Sequence, residues 1–453
     1  MDIDKKLVEE FLSDEKFVGI KTSDPLHKSF QLKGATPMMG GGKMPKIDFS
    51  GYWEKATQNV VSSEKRSVYV HIPFCRLHCT YCGFFKNFKN EDRQSQYVKY
   101  LVQEIQSVNK NQYVQSTPVE AIYFGGGTPG VLKPEEIKQL LNELKNNIPI
   151  AKNCEITFET SLCDLDDDQV LACLDGGVNR FSFGVQTFDT EVRRSVGRPD
   201  SKERLIERLT ELKSMQSQAA VVIDLIYGFP NQTMEIWQED VRIAASLPLD
   251  GLDIYSLKVF PGSLLDEAIK TGKLPSAADR PELADMYVYG TQYFEQLGMR
   301  KLSICHWGKF DLLENSRYNH FSKSAETTIP FGAGAGGNIE GMRLMQESDV
   351  DRYEEKIRAG IKPIAMAMPA EVNYKLYGRI RGDMDCGFLS LSDLEREFKM
   401  PIESYLKPLF DLWETRGLVN QSRGRIELTL AGQVWNVEML NSTIRFLKTQ
   451  ITR

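Results

Sequence analysis

Between residues 67 and 300, apolar and polar positions alternate in two registers, over and over. Short runs dense in Val, Ile, Phe and Tyr are each followed by a stretch with helical spacing. SVYVHI precedes QYVKYLVQEIQSV, VEAIYF precedes PEEIKQLLNELKNNI, and CEITFET precedes DLDDDQVLACLDG. RFSFGVQ then leads to SKERLIERLTELKSM, AVVIDLIYG to MEIWQEDVRIAASL, and GLDIYSLKVF to PELADMYVYGTQYFEQLG. In the second unit Ile137, Leu140, Leu141, Leu144 and Ile148 recur at helical spacing, with Pro134 near the first turn. Runs so rich in β-branched and aromatic residues suit strands buried on both faces, the habit of parallel sheets. Six βα units in a row predict a parallel sheet with right-handed crossovers. Six are too few to close an eight-stranded barrel. The reading is an α/β fold built on an open, partial (β/α)6 barrel, with its chemistry at the C-terminal strand ends.

The flanking segments lack this rhythm. Residues 1–66 read as a leader or lid containing the loop GATPMMGGGKMP (34–45). Residues 301–369, with the glycine-dense FGAGAGGNIEG (331–341), read as a barrel extension on the substrate side. From 370 to 453, LSLSDLEREFKM, SYLKPLFDLWETRGLV and NQSRGRIELTLAG predict short helices and a hairpin, a winged-helix-like α+β module. A net charge of −6 argues for scaffold or lid duty over nucleic-acid binding, which needs a basic face. No stretch approaches the roughly 20 apolar residues of a membrane span, and no secretory leader is evident. The chain reads as cytoplasmic, where thiols stay reduced.

In that compartment the eight cysteines are not a disulfide framework. Three of them, Cys75, Cys79 and Cys82, form a C-x3-C-x2-C array in HIPFCRLHCTYCGFF, just after the first strand. Two metal sites are open to such an array. Zinc needs a fourth ligand, from His71, His78 or a distant cysteine. A [4Fe–4S] cluster held by three thiolates instead leaves one iron with a free position, which suits chemistry better than electron storage.

Other polar groups gather at strand ends. YFGGGTP (123–129) closes the second strand with glycines that let backbone approach a ligand, and no Gly-Lys-Ser/Thr follows to make it a P-loop. Glu159 closes ITFET, Gln186 closes FSFGVQ, Arg198 lies in RRSVGRP, and Asp224 sits in the apolar run AVVIDLIYG. A carboxyl in such a run needs a partner or a ligand. Each alone is as well explained as a structural hydrogen-bond hub. Together they suggest the lining of a polar cavity.

The segments YVHIPFC, YCGF, GGGTP, RFSFGVQTF, GRP, DLIYGFPNQT and IYSLKVFPGS resemble the coproporphyrinogen-oxidase-like branch of the radical S-adenosylmethionine (SAM) enzymes, densely over about 65–265 and loosely beyond. The cysteine spacing is the hallmark of that superfamily. The resemblance implies a [4Fe–4S] cluster on Cys75, Cys79 and Cys82, and room for two SAM molecules. Tyr69, Gly125, Glu159 and, more loosely, Ile339 would contact the cluster-bound SAM. Gly126, Thr128, Gln186, Arg198, Asp224 and Ser256 would line the second position. CTYCGFFKN, GATPMMGGGKMP and PFGAGAGGNIEG are most similar to the branch's anaerobic haem-degrading methyltransferases. Cys82-Gly83-Phe84 departs from the Cys-Gly-Cys ending of the coproporphyrinogen oxidases. SICHWGK (303–309) departs from the haem chaperones.

The implied activity is oxygen-free opening of haem with methyl transfer from SAM and release of iron. Its partners would be haem, an external one-electron donor such as flavodoxin or a reduced flavin system, and a protein that delivers haem or accepts product. Among five histidines, His306 beside Cys305 is the candidate to face haem, with a strand-end structural histidine as the plain alternative. His320 and Arg317 are weaker candidates. The rival readings are a haem chaperone, a coproporphyrinogen decarboxylase, and an iron–sulfur regulator working through the C-terminal module.

Overall fold

The computed structural model describes residues 5–31, 49, 51–60, 65–84, 87–309 and 313–451; the loop 34–45 lies outside them. The chain forms two compact units, one of residues 47–278 and 289–372, the other of 1–46, 279–288 and 373–453.

The larger unit holds the six strands read from the sequence: β1 (Arg66–Ile72), β2 (Val119–Gly126), β3 (Ile150–Thr160), β4 (Arg180–Gln186), β5 (Ala220–Tyr227) and β6 (Gly251–Ser256). Each pairs in parallel with the next. Ile137, Leu140, Leu141, Leu144 and Ile148 are buried, as their spacing requires. Capping side chains start the crossover helices where the sequence turns polar. Asn90 accepts from Arg93 N at 3.0 Å, Asp166 from Gln169 N at 2.8 Å and Ser201 from Arg204 N at 3.3 Å.

Six further strands complete this sheet: β7 (Arg300–Ser303), β8 (His306–Gly308), β9 (Thr327–Phe331), β10 (Gly336–Ile339), β11 (Met342–Gln346) and β12 (Ile364–Met368). The order is β12-β11-β10-β9-β1-β2-β3-β4-β5-β6-β8-β7. β9 lies parallel to β1, a seventh parallel strand that periodicity did not announce. Its sequence, TTIPF, carries a proline that cannot donate to a ladder. Gly337 on β10 admits that proline, since a Cβ there would stand 2.5 Å from Pro330 Cδ. The glycine-dense segment is thus partly strand.

In the smaller unit a three-stranded antiparallel sheet (Phe388–Ser390, Arg425–Leu428, Val419–Ser422, in that order) packs with helices Tyr374–Asp385, Leu391–Phe398, Ile402–Thr415 and Asn436–Ile451. Phe11, Val18 and Phe30, counted in the sequence with the leader, are buried in the same core as Leu394, Phe410 and Trp413. The Trp413 indole donates to the Val18 carbonyl at 3.0 Å.

Candidate active site

The cysteine loop leaves the C-terminal end of β1. Cys75 is buried, while Cys79 and Cys82 are half-buried. Backbone bonds hold the loop: Lys89 N to Cys75 O at 2.8 Å, Cys82 N to Cys79 O at 3.1 Å, and Thr80 N to Val196 O at 3.1 Å. Phe84 N donates to Cys82 Sγ at 3.3 Å. Burial pushes the Cys75 thiol up to about 11, against a hydrogen bond with Thr128 that pulls it down. Arg76 pairs with Asp164 at 2.7 Å and donates to the Cys163 carbonyl, which anchors the loop's outer edge.

Beside it, Gly127 N donates to Ile72 O and Thr128 N to Phe74 O, both at 2.8 Å, tying the GGGTP turn to the cysteine loop. The three glycines answer to three different neighbours. A Cβ on Gly125 would stand 2.7 Å from Glu159 Oε2. On Gly126, at φ +111°, it would meet the His71 ring at 2.7 Å, and on Gly127 the Phe74 carbonyl at 2.5 Å.

Inside the barrel Tyr69, Tyr123 and Tyr318 stack, with ring centroids 4.5 Å apart for Tyr123 and Tyr318 and 6.0 Å for Tyr69 and Tyr318. The Tyr69 hydroxyl lies 3.1 Å from His71 Nδ1. Burial raises the Glu159 carboxyl above its ordinary range, although Tyr123 donates to it and Arg180 lies near.

Gln186 ends β4 at φ +68°, a strained conformation for a side chain of that size. The next turn holds it there. Thr187 Oγ1 and Phe188 N donate to Asp240 at 2.7 and 2.6 Å, and Gln232 Nε2 does so at 3.1 Å. Arg198 donates to the Gly184 carbonyl at 2.6 Å; burial opposes its charge, while Tyr81 and Cys79 nearby raise its pKa. A Cβ on Gly184 would stand 2.7 Å from Gln186 Nε2 and 3.4 Å from Arg198 Nη2. Gly184 in turn registers with Asp224 on β5. Ser256, closing β6, hydrogen-bonds Tyr227. Ile339 is buried at the end of β10, two strands from β1.

His306, the candidate to face haem, lies between two acids. It is 2% exposed on β8, with Nδ1 3.4 Å from Asp253 Oδ1 and Nε2 3.2 Å from Glu314 Oε1. Both ring nitrogens face carboxylates, so neither is turned to a ligand cavity. Cys305 is half-buried, with its sulfur 3.4 Å from Ser303 Oγ. Arg317 donates to the Asn153 carbonyl at 3.0 Å, a backbone anchor. Arg180, Asp253, Tyr255 and Glu314 were not singled out by the sequence. The signal available was a charged residue opening RFSFGVQ and an acid inside GLDIYS, each on a strand otherwise apolar.

Residues 69–244 match the Radical SAM superfamily. Over 409 residues the chain is 34% identical to the anaerobilin synthase of Escherichia coli O157:H7, covering 90% of each chain. It belongs to the anaerobilin synthase family of radical SAM enzymes. It is 27% identical to the heme chaperone HemW of Bacillus subtilis (strain 168), over 83% of this chain and 98% of that one. The solved structure of coproporphyrinogen III oxidase (HemN) from Escherichia coli shares the fold, with a TM-score of 0.74 at 23% identity over 86% of this chain and 92% of that one.

The family brings with it a [4Fe–4S] cluster and SAM, and the residues fit both. Three thiols on one loop are the donor set such a cluster takes when one iron is left open. The glycine turn beside them is a cradle that any Cβ would fill. Glu159 puts a carboxyl beside that turn. Among the described residues, no helix is long and apolar enough to cross a membrane.

Proposed function

We propose that the protein degrades haem without oxygen, opening the porphyrin ring with methyl transfer from SAM and releasing iron. The observation that carries this reading is the 34% identity to anaerobilin synthase over nine-tenths of both chains. It stands together with an interior whose polar groups sit at neighbouring strand ends. When bound, the cluster and SAM supply one-electron cleavage of a sulfonium and a primary carbon radical. The protein's own part is placement and exclusion of water.

Cys75, Cys79 and Cys82 hold the cluster, and Thr128 reaches the Cys75 sulfur. Tyr69, Gly125 and Glu159 orient the first SAM, with Ile339 as apolar backing. Gly126, Thr128, Gln186, Arg198, Asp224 and Ser256 receive a second. Cys305 lies beside Tyr255 and Tyr227 on the substrate side. The electron comes from a flavodoxin or reduced flavin system, and a further protein delivers haem or takes the product. The enzyme works in the cytoplasm and on neither nucleic acid nor membrane.

The test is an anaerobic incubation of cluster-loaded protein with reductant, SAM and haem, read by mass spectrometry. Deoxyadenosine and S-adenosylhomocysteine appearing with a methylated, ring-opened, iron-free tetrapyrrole are expected. Intact haem on a loaded, reduced enzyme transfers the reading to a haem chaperone, which the likeness to HemW over nearly that protein's whole length favours as the second choice.

A further inference from the structure

Gln186 and Arg198, both assigned to the second SAM position, sit on separate segments, and one buried side chain joins them. Arg193 lies between the two in sequence, on the short helix Thr190–Ser195, and is 1% exposed. Its Nη1 donates to the carbonyls on either side of Gln186, to Val185 O at 2.5 Å and to Thr187 O at 3.0 Å. Its Nε donates to Asp200 O at 2.8 Å, two residues past Arg198, and Nη2 stands 3.6 Å from Asp200 Oδ2. The main chain of the same residue completes the grip, because Arg198 N donates to Arg193 O at 2.9 Å.

The turn after β4 closes without this arginine. Asp240 already receives Thr187 Oγ1 and Phe188 N, and Asp189 caps the helix by accepting from Val192 N at 2.8 Å. What the guanidinium adds is a fixed relation between two side chains turned to other work. The pairing of β4 with β5 shifts register between Gly184 and Gln186: Gly184 faces Asp224, and Gln186 faces the very next residue, Leu225. Such a bulge re-aims a side chain, and here it accompanies the left-handed backbone of Gln186. The two side chains lie together over Gly184, whose Cβ would stand 2.7 Å from Gln186 Nε2 and 3.4 Å from Arg198 Nη2. Gln186 is 8% exposed, and its Oε1 has no hydrogen-bond partner among the described residues; the same holds for the buried Nε of Arg198. Most buried polar atoms in folded proteins are paired, so an acceptor and a donor left over side by side mark a ligand that offers both kinds of atom. The amino-acid end of SAM, with its ammonium and carboxylate, is such a ligand. Arg193 differs from both, since its donors all go to protein carbonyls and to Asp200.

We propose that Arg193 is a positioning residue for the second SAM, setting Gln186 and Arg198 in the relation that this molecule needs and leaving the first position alone; this rests on the reading of Gln186 and Arg198 as contacts of a second SAM. The first position draws on Tyr69, Gly125 and Glu159, from β1, β2 and β3, and Arg193 makes no hydrogen bond to any of them among the described residues.

The test is anaerobic equilibrium dialysis of SAM against cluster-loaded, unreduced wild type, Arg193→Met and Arg193→Lys. Without reductant SAM is bound and not cleaved. The change that SAM makes in the Mössbauer spectrum of the cluster reports the first position alone. Wild type is expected to take up two molecules per chain. Arg193→Met should leave the first affinity and the spectral change as they are, and weaken the second by about 10-fold or more as charge-assisted hydrogen bonds lose their alignment. Arg193→Lys keeps the charge and meets the Val185 and Thr187 carbonyls from one nitrogen, but gives up the Asp200 carbonyl. Its second affinity should fall between those of wild type and Arg193→Met. Two affinities that decline in parallel overturn the proposal, because a part in general stability would lower both, and so do two that stay unchanged. Where Arg193→Met does not fold, Arg193→Lys decides: a selective weakening of the second affinity supports the proposal, and affinities equal to wild type overturn it. Wild type that takes up a single SAM removes the two-molecule reading itself.

Discussion

Gly125 leaves room for Glu159: a side chain on the first would occupy space 2.7 Å from the Oε2 of the second. The nearest atom is the far end of a flexible carboxylate, with the Tyr123 ring next at 2.9 Å, so Gly125→Ala is accepted only by displacing Glu159 and shifting the Tyr123 ring slightly. Folding survives and the acceptor moves. Losing one buried, charge-assisted hydrogen bond of about 1.5–3 kcal/mol weakens SAM binding by about 10- to 100-fold. Calorimetric titration of SAM into cluster-loaded variant and wild type checks this; equal affinities remove Glu159 from the first SAM position.

Gly127→Ala has a different fate. Its Cβ would meet the Phe74 carbonyl at 2.5 Å, and backbone cannot turn away as a carboxylate can. The variant is expected to lose soluble, cooperatively melting protein. A melting curve like that of wild type would show that the cysteine loop gives way more readily than its hydrogen bonds suggest.

Serine at Cys75, Cys79 or Cys82 is expected to abolish cluster loading and SAM cleavage together. Cys163→Ser should retain both, because the Cys163 thiol engages Ser161 and Asp164 instead. Iron and sulfide content after anaerobic reconstitution discriminates these. A marked loss in Cys163→Ser would make that thiol a participant in cluster assembly.

Asp240 supplies a pH dependence. Burial raises its carboxyl to about 6, against three donors that favour the charged form. The unfolded group titrates near 3.9, so between the two values the folded state holds more protons and stability falls as pH rises. Relative to Asp240→Asn, wild type should lose about 2 kcal/mol of unfolding free energy between roughly pH 4 and pH 7. Urea unfolding of both proteins at several pH values measures it. A flat difference would mean the carboxyl titrates normally in the fold.

His27 works through attraction rather than burial. Its ring bridges Asp24 and Asp285, 2.9 Å from each, and these carboxylates raise its pKa. The stabilisation is complete below the unfolded value of about 6.5 and is lost as pH climbs through the folded one. His27→Gln should therefore lower the melting temperature at acid pH and leave it nearly unchanged at alkaline pH. A constant gap would assign the effect to packing.

The barrel was legible because each βα unit repeats one physical pattern, apolar strand then amphipathic helix, and six repeats reinforce one another. The cysteines and glycines were legible through spacing. β9 was not, because Pro330 and the glycines around 334–337 carry no periodicity; their pairing depends on Gly337 making space for a proline across the ladder. The setting of His306 was hidden for a related reason. A histidine next to a cysteine and a tryptophan looks the same in sequence whether it meets a ligand or two carboxylates. Its partners, Asp253 and Glu314, come from other elements, and only the fold brings them together. Residues 5–30 showed no distinctive pattern because their apolar positions complete a core built elsewhere in the chain.

That shared core has a bearing on synthesis. Val18 and Trp413, joined by a hydrogen bond, are 395 residues apart. At about 5–20 residues per second, Val18 leaves the ribosome roughly 20–80 s before its partner is made. The whole barrel is translated in that interval, while Phe11, Val18 and Phe30 wait without their core. A nascent chain stalled before Trp413 should thus display these apolar side chains to chaperones and proteases, and completing the last helices should withdraw them.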